Sequence, residues 1–406
     1  MISITRKIDC CGCQACAQIC HKQAIKMFND EEGFGYPYVD KELCVNCGLC
    51  ERVCPIINDS ERHEVVESYA FQSKNDFIRK ISTAGGAFYS IASEIIKQNG
   101  LVYGAAFDSN ITVHHQKAST LEELIPLCMS KYVQSDINNT FQEIKTNLDI
   151  GKTVLFCGTP CQCEALSCFL KNKYEKLFLV DFLCHGVPSP KVWKRYVQEM
   201  QKRYGAYDFE FRSKSFGYNK SGMEFKCLNG EIMHGEISDK LDVQFMTKCF
   251  FSEIVSRPAC HACRFKNIER VTDITLGDLW HICKYNPHMD DNCGTSFISV
   301  HTDNGRNIIR LIENNSNIIK INLNEYLKDD GINMISSMSA NSRRSDFFNE
   351  FDDLSFEELF EKYLRTEKNQ IKETLKFILD KAGVLHIVKR LRYKSKQVRF
   401  EIKNRK

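Results

Sequence analysis

Cys10, Cys13, Cys16 and Cys20 are separated by two, two and three residues, and Cys44, Cys47, Cys50 and Cys54 repeat that spacing at a constant offset of 34. Such a duplication leaves little freedom of fold. Three thiolates on a tight loop reach three irons of one cubane, and the fourth, a short helical step further on, ligates the cluster of the other half. The rule groups Cys10, Cys13 and Cys16 with Cys54, groups Cys44, Cys47 and Cys50 with Cys20, and leaves Cys11 over. CxxC pairs also build zinc ribbons, but two matched runs of four cysteines fit two 4Fe-4S clusters better. The chain has 21 cysteines, nine of them within the first 54 residues. An odd, bunched count in a chain of 406 residues argues against the disulfide framework of a short secreted domain.

Over about residues 1–60 the chain resembles a bacterial-type two-cluster ferredoxin, including Cys54-Pro55, where that pattern has proline. The first run departs from it at Cys20-His21. Because that proline packs beside the cluster without ligating it, the departure bears on tuning more than on cluster binding. The resemblance implies one-electron transfer, with a soluble ferredoxin or another electron carrier as the outside partner.

From about residue 63 the pattern changes. A composition of 43% hydrophobic and 26% charged residues describes a folded, soluble chain long enough for two or three domains. No stretch reaches the roughly 18 apolar residues of a membrane helix. Met1–Lys7 runs into Asp9-Cys10 without the apolar run of a leader, so the expected location is cytoplasmic. Strands are predicted at 68–73, 101–107, 153–157, 176–184, 274–277 and 297–301. Helices are predicted near 137–149, 160–172, 190–204 and 304–314, and at the stripe Phe88, Ile91, Ala92, Ile95, Ile96 that stops at Asn99-Gly100. Asn229-Gly230 signals a hairpin.

Several stretches of this body have the character of ligand loops. Ser82-Thr83-Ala84-Gly85-Gly86 opens a helix, where exposed N–H groups and the helix dipole favour an anion, although a Gly pair there is more often only a turn. Ser130-Lys131-Tyr132-Val133-Gln134-Ser135 combines a cation, an aromatic face and neutral polar groups, and equally suits a solvated loop. Cys157-Gly158-Thr159-Pro160-Cys161-Gln162 follows a strand, with Thr159 as N-cap and Pro160 as first helical residue. Cys161 then lies in a first helical turn, a position expected to lower its thiol pKa. Cys184-His185-Gly186 ends another strand, and Cys260-His261-Ala262-Cys263 adds a CxxC pair. Cys161, Cys184, Cys260 and Cys263 either close a third four-thiolate site or are scattered core cysteines.

Taken in order, these blocks, together with Val187-Pro188-Ser189-Pro190 and Asp273-Ile274-Thr275-Leu276-Gly277-Asp278-Leu279-Trp280, resemble the beta-subunit family of coenzyme F420 hydrogenases and dehydrogenases over about residues 65–310. The resemblance implies FAD, a further 4Fe-4S cluster in the body, and electron exchange with an organic donor or acceptor. It implies that Ser82, Thr83, Gly85, Gly86, Lys131, Tyr132, Gln134, Ser135, Gly158 and Thr159 line the flavin site. It also implies that Cys161, Cys184, Cys260 and Cys263 hold the third cluster. This chain departs from the family in two places: Ala84 replaces a serine, and His281 replaces the glycine after Trp280. Both bear on the substrate side, so coenzyme F420 itself is not implied. A nucleophilic role for Cys161 competes, but no histidine and acid stand out as its base and orienter. Cys128, Cys157, Cys163, Cys168, Cys227, Cys249, Cys283 and Cys293 are left as structural, and His114, His115 and His261 as packed or surface residues.

The net charge of +3 conceals a basic end: residues 381–406 carry ten Lys or Arg against Glu401 alone. Val384, Ile387, Val388, Leu391 and Val398 share one helical face there. Such a helix either lies peripherally on an anionic membrane or covers the body. No nucleic acid is expected. The expected class is α+β, with a two-cluster ferredoxin domain (1–62), an α/β flavin-binding core with an inserted hairpin (63–335) and a helical basic tail (336–406). The expected function is an iron-sulfur flavoprotein oxidoreductase that relays electrons from a ferredoxin-type donor through 4Fe-4S clusters to FAD and an unidentified organic acceptor. The alternative is an electron-transfer subunit with no substrate of its own that feeds a partner enzyme. No residue is identifiable as catalytic acid or base.

Overall fold

A computed structural model describes residues 1–238 and 240–365; the basic amphipathic stretch at 381–406 lies outside the described residues. The N-terminal part is a small cysteine-rich unit around the antiparallel hairpin of β1 (Ile25–Asn29) and β2 (Gly35–Val39). Two short helices, Ala15–Gln18 and Leu49–Arg52, bury Cys16 and Cys50. The duplication extends to the backbone. Gly12 and Asn46 have φ of +72° and +51°, and Gln14 and Gly48 have φ of +62° and +74°. Turns of this kind wrap backbone N–H groups around a negatively charged centre.

The body is organised by an eight-stranded mixed sheet in the order β13-β3-β12-β11-β7-β6-β4-β5. In chain order its members are β3 (Glu67–Ser73), β4 (Leu101–Phe107), β5 (Val113–Ala118), β6 (Val154–Gly158), β7 (Leu177–Phe182), and, after an insertion, β11 (Ile274–Asp278), β12 (Ser296–Val300) and β13 (Ser316–Lys320). Strands β4, β6, β7 and β11 are parallel, and the remaining pairs are antiparallel. Side chains alternate across the sheet. Val102, Leu155 and Val180 face the helices Ala87–Lys97 and Asp303–Ile312, whereas Tyr103, Phe156 and Leu179 face Thr140–Asp149 and Pro160–Leu170. Covering both faces is what a largely parallel sheet requires.

Between β7 and β11 the chain builds a three-stranded antiparallel sheet of β8 (Ala206–Ser213), β9 (Gly222–Cys227) and β10 (Ile232–His234), in the order β10-β9-β8. The expected hairpin at Asn229-Gly230 is present, with Gly230 at φ +87°, but it belongs to this separate sheet. Helices Pro190–Tyr204 and Leu241–Phe251 pack on it. Residues 344–364, which the sequence assigns to a charged tail, complete that second core: Phe347, Phe351, Phe356 and Leu359 are almost fully buried in it. Their apolar spacing falls inside a charged segment, and burial outweighs the charge.

The N-terminal unit docks on the body through buried polar contacts. Arg344 donates to both carboxylate oxygens of Glu32 at 2.6 Å. Ser189 donates to the Glu32 carbonyl, and Gln18 accepts from the Phe141 amide at 3.0 Å. Among the described residues no helix is long and apolar enough to cross a membrane.

Candidate functional site

The two N-terminal runs of cysteine cross over in space. Cys20 lines one small cavity together with Cys44, Cys47 and Cys50. Cys16 stands close to Cys10 and Cys54; burial, then the charges of these neighbours, push its thiol up to about 12. Cys13 interacts with the thiols of Cys11, Cys16 and Cys10. The second group is the outer one, since Cys47 is exposed, while Cys13 of the first group is buried against the body.

Cys161, Cys184, Cys260 and Cys263 line a single cavity of about 220 Å³. They reach it from three elements. Cys161 is the second residue of the helix Pro160–Leu170, entered through Thr159 as N-cap and Pro160 as first residue. Cys184 follows β7, and Cys260 and Cys263 lie on and just after the 3₁₀ helix Pro258–Ala262. Cys11, spare in the N-terminal count, lines the same cavity and bonds to Cys161. The expected low pKa of Cys161 does not hold: the Cys11 thiol, followed by burial, pushes it well up. Burial likewise raises Cys184 to about 12, and it raises Cys260 and Cys263. A helix terminus contributes only a fraction of a charge, which burial among thiols outweighs. Four half-buried thiols around a void are a donor set suited to a cluster, because metal binding displaces their protons. Among the described residues no three His, Cys, Asp or Glu side chains converge on the position of a single metal ion, whereas in a cubane each thiolate ligates its own iron.

The C-terminal ends of the parallel strands open into a larger cavity of about 370 Å³. Of the residues that the resemblance assigns to flavin, Ser82, Thr83, Gly86, Lys131, Tyr132, Ser135, Gly158 and Thr159 line it. Gly85 and Gln134 lie outside the lining. Gly85 is pressed against strand backbone, and Gln134 turns away to donate to the Cys11 carbonyl at 3.2 Å. The loops are cross-braced: Thr83 Oγ1 accepts from the Ser130 amide at 2.8 Å. Gln162 donates to Ser135 Oγ at 3.0 Å and accepts from the Thr159 amide at 2.9 Å. Lys131 Nζ is held by the Pro126 and Cys128 carbonyls at 2.6 and 2.5 Å, and burial lowers its pKa to about 8.

Several residues of this cavity were invisible in the sequence. Phe250 stacks on Tyr132 at 4.1 Å and 7°. Arg212, at the end of β8, donates to Tyr132 OH at 3.1 Å and to Asp278 at 3.0 Å, and its guanidinium lies 4.8 Å from the Trp280 ring. Cys128, Cys157 and His115, set aside as structural or packed, also line the cavity. His281, at the position of the family glycine, bonds through Nδ1 to Asp330 at 2.7 Å, and Asp330 faces the cavity. Ser82 Oγ, Arg212 Nη2, His115 Nδ1 and Asn333 Oδ1 are buried polar atoms with no hydrogen-bond partner among the described residues. Buried polar atoms left in this way fit a ligand that offers several hydrogen bonds, and the aromatic walls fit a planar one. The two cavities share a wall: Cys184, His185, Gly186, Val187 and Asn333 line both.

Residues 151–325 match the family described as the C terminus of the coenzyme F420 hydrogenase/dehydrogenase beta subunit, and residues 9–56 match the 4Fe-4S dicluster domain. Ketoisovalerate oxidoreductase subunit VorC of Methanothermobacter marburgensis is 34% identical over 62 residues, 15% of this chain and 78% of that protein. A 7Fe ferredoxin of Hydrogenibacillus schlegelii is 31% identical over 68 residues, 16% of this chain and 81% of that protein. A chain in a structure of the F420-reducing [NiFe] hydrogenase complex from Methanosarcina barkeri has a TM-score of 0.45 and 15% identity, with 71% of this chain and 91% of that one covered.

Proposed function

We propose that this chain, whose residues 151–325 match the coenzyme F420 hydrogenase/dehydrogenase beta-subunit family and whose residues 9–56 match the 4Fe-4S dicluster domain, is an iron-sulfur flavoprotein oxidoreductase of that family. It takes electrons from a ferredoxin-type donor and passes them through 4Fe-4S clusters to FAD and an organic acceptor. Bound clusters supply one-electron transfer, and bound FAD joins single electrons into two-electron chemistry. Cys10, Cys13, Cys16 and Cys54 hold the inner N-terminal cluster, and Cys20, Cys44, Cys47 and Cys50 the outer one. Cys161, Cys184, Cys260 and Cys263 hold a third.

The observation that carries this proposal is the wall of residues 184–187 common to the four-cysteine cavity and the larger cavity. A thiolate on that wall sits beside both occupants, so electrons need cross only a few bonds. Around the larger cavity, Tyr132 and Phe250 give a flat apolar face. Lys131 keeps a cation at the floor, and the Thr83, Ser135 and Gln162 bonds fix the loops before any ligand enters. Trp280, 40% exposed, stands at the rim next to Arg212 and leaves an acceptor room to approach.

Anaerobic purification with iron, zinc and flavin analysis tests this assignment. Cys161→Ala, Cys184→Ala and Cys260→Ala are expected to lose about a third of the iron, one cluster of three, whereas Cys11→Ser keeps all of it. A wild-type protein containing zinc but neither iron nor flavin would overturn the proposal.

A further inference from the structure

Arg257 has no exposed surface at all. Its donors go to three neutral acceptors: Nε to the Cys10 carbonyl at 2.8 Å, Nη1 to Gln134 Oε1 at 2.9 Å and Nη2 to the Gly35 carbonyl at 3.0 Å. The guanidinium lies 4.4 Å from the Tyr36 ring centre and 5.4 Å from that of Phe34. Among the described residues no carboxylate forms an ion pair with it. A desolvated cation without a counter-charge is strongly unfavourable, so this position requires a negative centre that the protein's own acids do not supply.

The nearest source of one is the cysteine loop itself. At Gly12, between Cys10 and Cys13, an added Cβ would sit 2.6 Å from Arg257 Nη1 and 2.4 Å from Gln134 Nε2, so the loop is pressed onto the guanidinium with no room for a methyl group. On its other side the chain of Arg257 leads directly into the 3₁₀ helix that carries Cys260, whose amide donates to the Arg257 carbonyl at 2.9 Å. One buried cation therefore stands between the inner N-terminal site and the four-cysteine site of the body. The outer site has the exposed Cys47 and is screened by water.

We propose that Arg257 is a positioning residue that holds the Cys10 loop against the body and raises the midpoint potential of the inner N-terminal cluster above that of the outer one. This rests on the cluster assignment proposed above. In a poorly polarisable interior a fixed positive charge favours the more negative, reduced state of its neighbour. The change is the gain of one electron, supplied by a reduced low-potential carrier, with no bond formed or broken and no proton moved. The charge thus biases transfer inward, from the exposed edge toward the body.

The test is an anaerobic redox titration of the holoprotein followed by EPR, with wild type, Arg257→Lys, Arg257→Gln and Gln134→Glu. In Arg257→Gln one N-terminal cluster is expected to become harder to reduce, with its reduced-to-oxidised ratio at a fixed potential falling about tenfold, equal to about 59 mV for one electron. The outer cluster stays unmoved. Arg257→Lys keeps the charge and should retain most of the wild-type potential. Gln134→Glu keeps Arg257 and the side-chain volume, exchanges the Nε2 bond to the Cys11 carbonyl for a carboxylate on Nη1, and so moves the same cluster in the same direction. That variant decides the matter if Arg257→Gln fails to hold its clusters. Full iron with unmoved potentials in Arg257→Gln or Gln134→Glu overturns the role of Arg257 and leaves the cluster assignment intact. So does an Arg257→Lys shift as large as that of Arg257→Gln. A wild-type protein without iron overturns the assignment itself.

Discussion

At the scale of single residues, the positions that look like ligand contacts divide into those that face a cavity and those that let backbones meet. Gly85 is of the second kind. An added Cβ would lie 2.1 Å from the Phe71 carbonyl oxygen and 2.6 Å from the Ser296 nitrogen, both backbone atoms of paired strands. Neither atom can yield, so Gly85→Ala is expected to destabilise by about 3 kcal/mol or more, the upper end for overpacking. Gly230, at φ +87° with nothing within 4 Å of its Cβ position, offers the contrast. Gly230→Ala carries only left-handed strain of about 1–2 kcal/mol. Urea midpoints of the two variants check the order, and equal shifts would contradict it. The glycine pair was conspicuous in the sequence; which of the two faces the cavity depends on strand pairing more than 200 residues away.

At the scale of elements, what could be read from the chain was what its local pattern encodes. The parallel strands β4, β6 and β7 are largely apolar runs, and the helices Ala87–Lys97 and Pro190–Tyr204 carry clear apolar stripes. The edge strands β5 (Val-His-His-Gln-Lys-Ala) and β13 (Ser-Asn-Ile-Ile-Lys) are polar on one side and short, so no period announced them. That Cys20 joins Cys44, Cys47 and Cys50 was legible because spacing is itself the signal, whereas spacing alone left open whether Cys161, Cys184, Cys260 and Cys263 come together. Arg212, Phe250 and Arg257 were not, because each works through partners far off in sequence and stands in no motif. The burial of 344–364 was not legible for a related reason: Phe347, Phe351, Phe356 and Phe360 are interleaved with charges. Phe356 lies 4.5 Å from Phe245 and 6.0 Å from Tyr196, ring centre to ring centre. Phe356→Ala should therefore cost about 3–5 kcal/mol, as for a buried aromatic. A surface tail would give almost no change in the urea midpoint.

At the scale of the whole molecule, buried titratable groups make stability depend on pH. Burial pushes His115 down to about 4, and burial, then Arg270, push His301 down to about 3. The unfolded value is about 6.5. Between that value and the folded pKa the unfolded chain binds protons that the native state refuses. Stability therefore falls as pH falls from about 6.5, and the loss is complete near 4 for His115 and near 3 for His301. Each group contributes about 3–5 kcal/mol across its window. His115→Gln should flatten the slope of unfolding free energy against pH between 6.5 and 4 relative to wild type. An unchanged slope would show that His115 is protonated in the native state.

One buried ion pair helps to fasten the N-terminal unit to the body. Glu32 and Arg344 have side chains only 11% and 13% exposed, and their two parallel hydrogen bonds of 2.6 Å join the hairpin loop between β1 and β2 to the helix Arg344–Glu350. Removing one partner strands the other as a buried charge, so Glu32→Gln and Arg344→Met should each cost about 3–5 kcal/mol. Removing both strands nothing. The double variant should then be less unstable than the sum of the singles by about 0.5–3 kcal/mol. Amide hydrogen exchange should localise the effect, with protection falling first across β1 and β2 in the single variants and partly returning in the double one. Additive losses, or exchange that rises evenly through the eight-stranded sheet, would mean that the pair contributes to general stability and does not fasten the cysteine-rich unit onto the body.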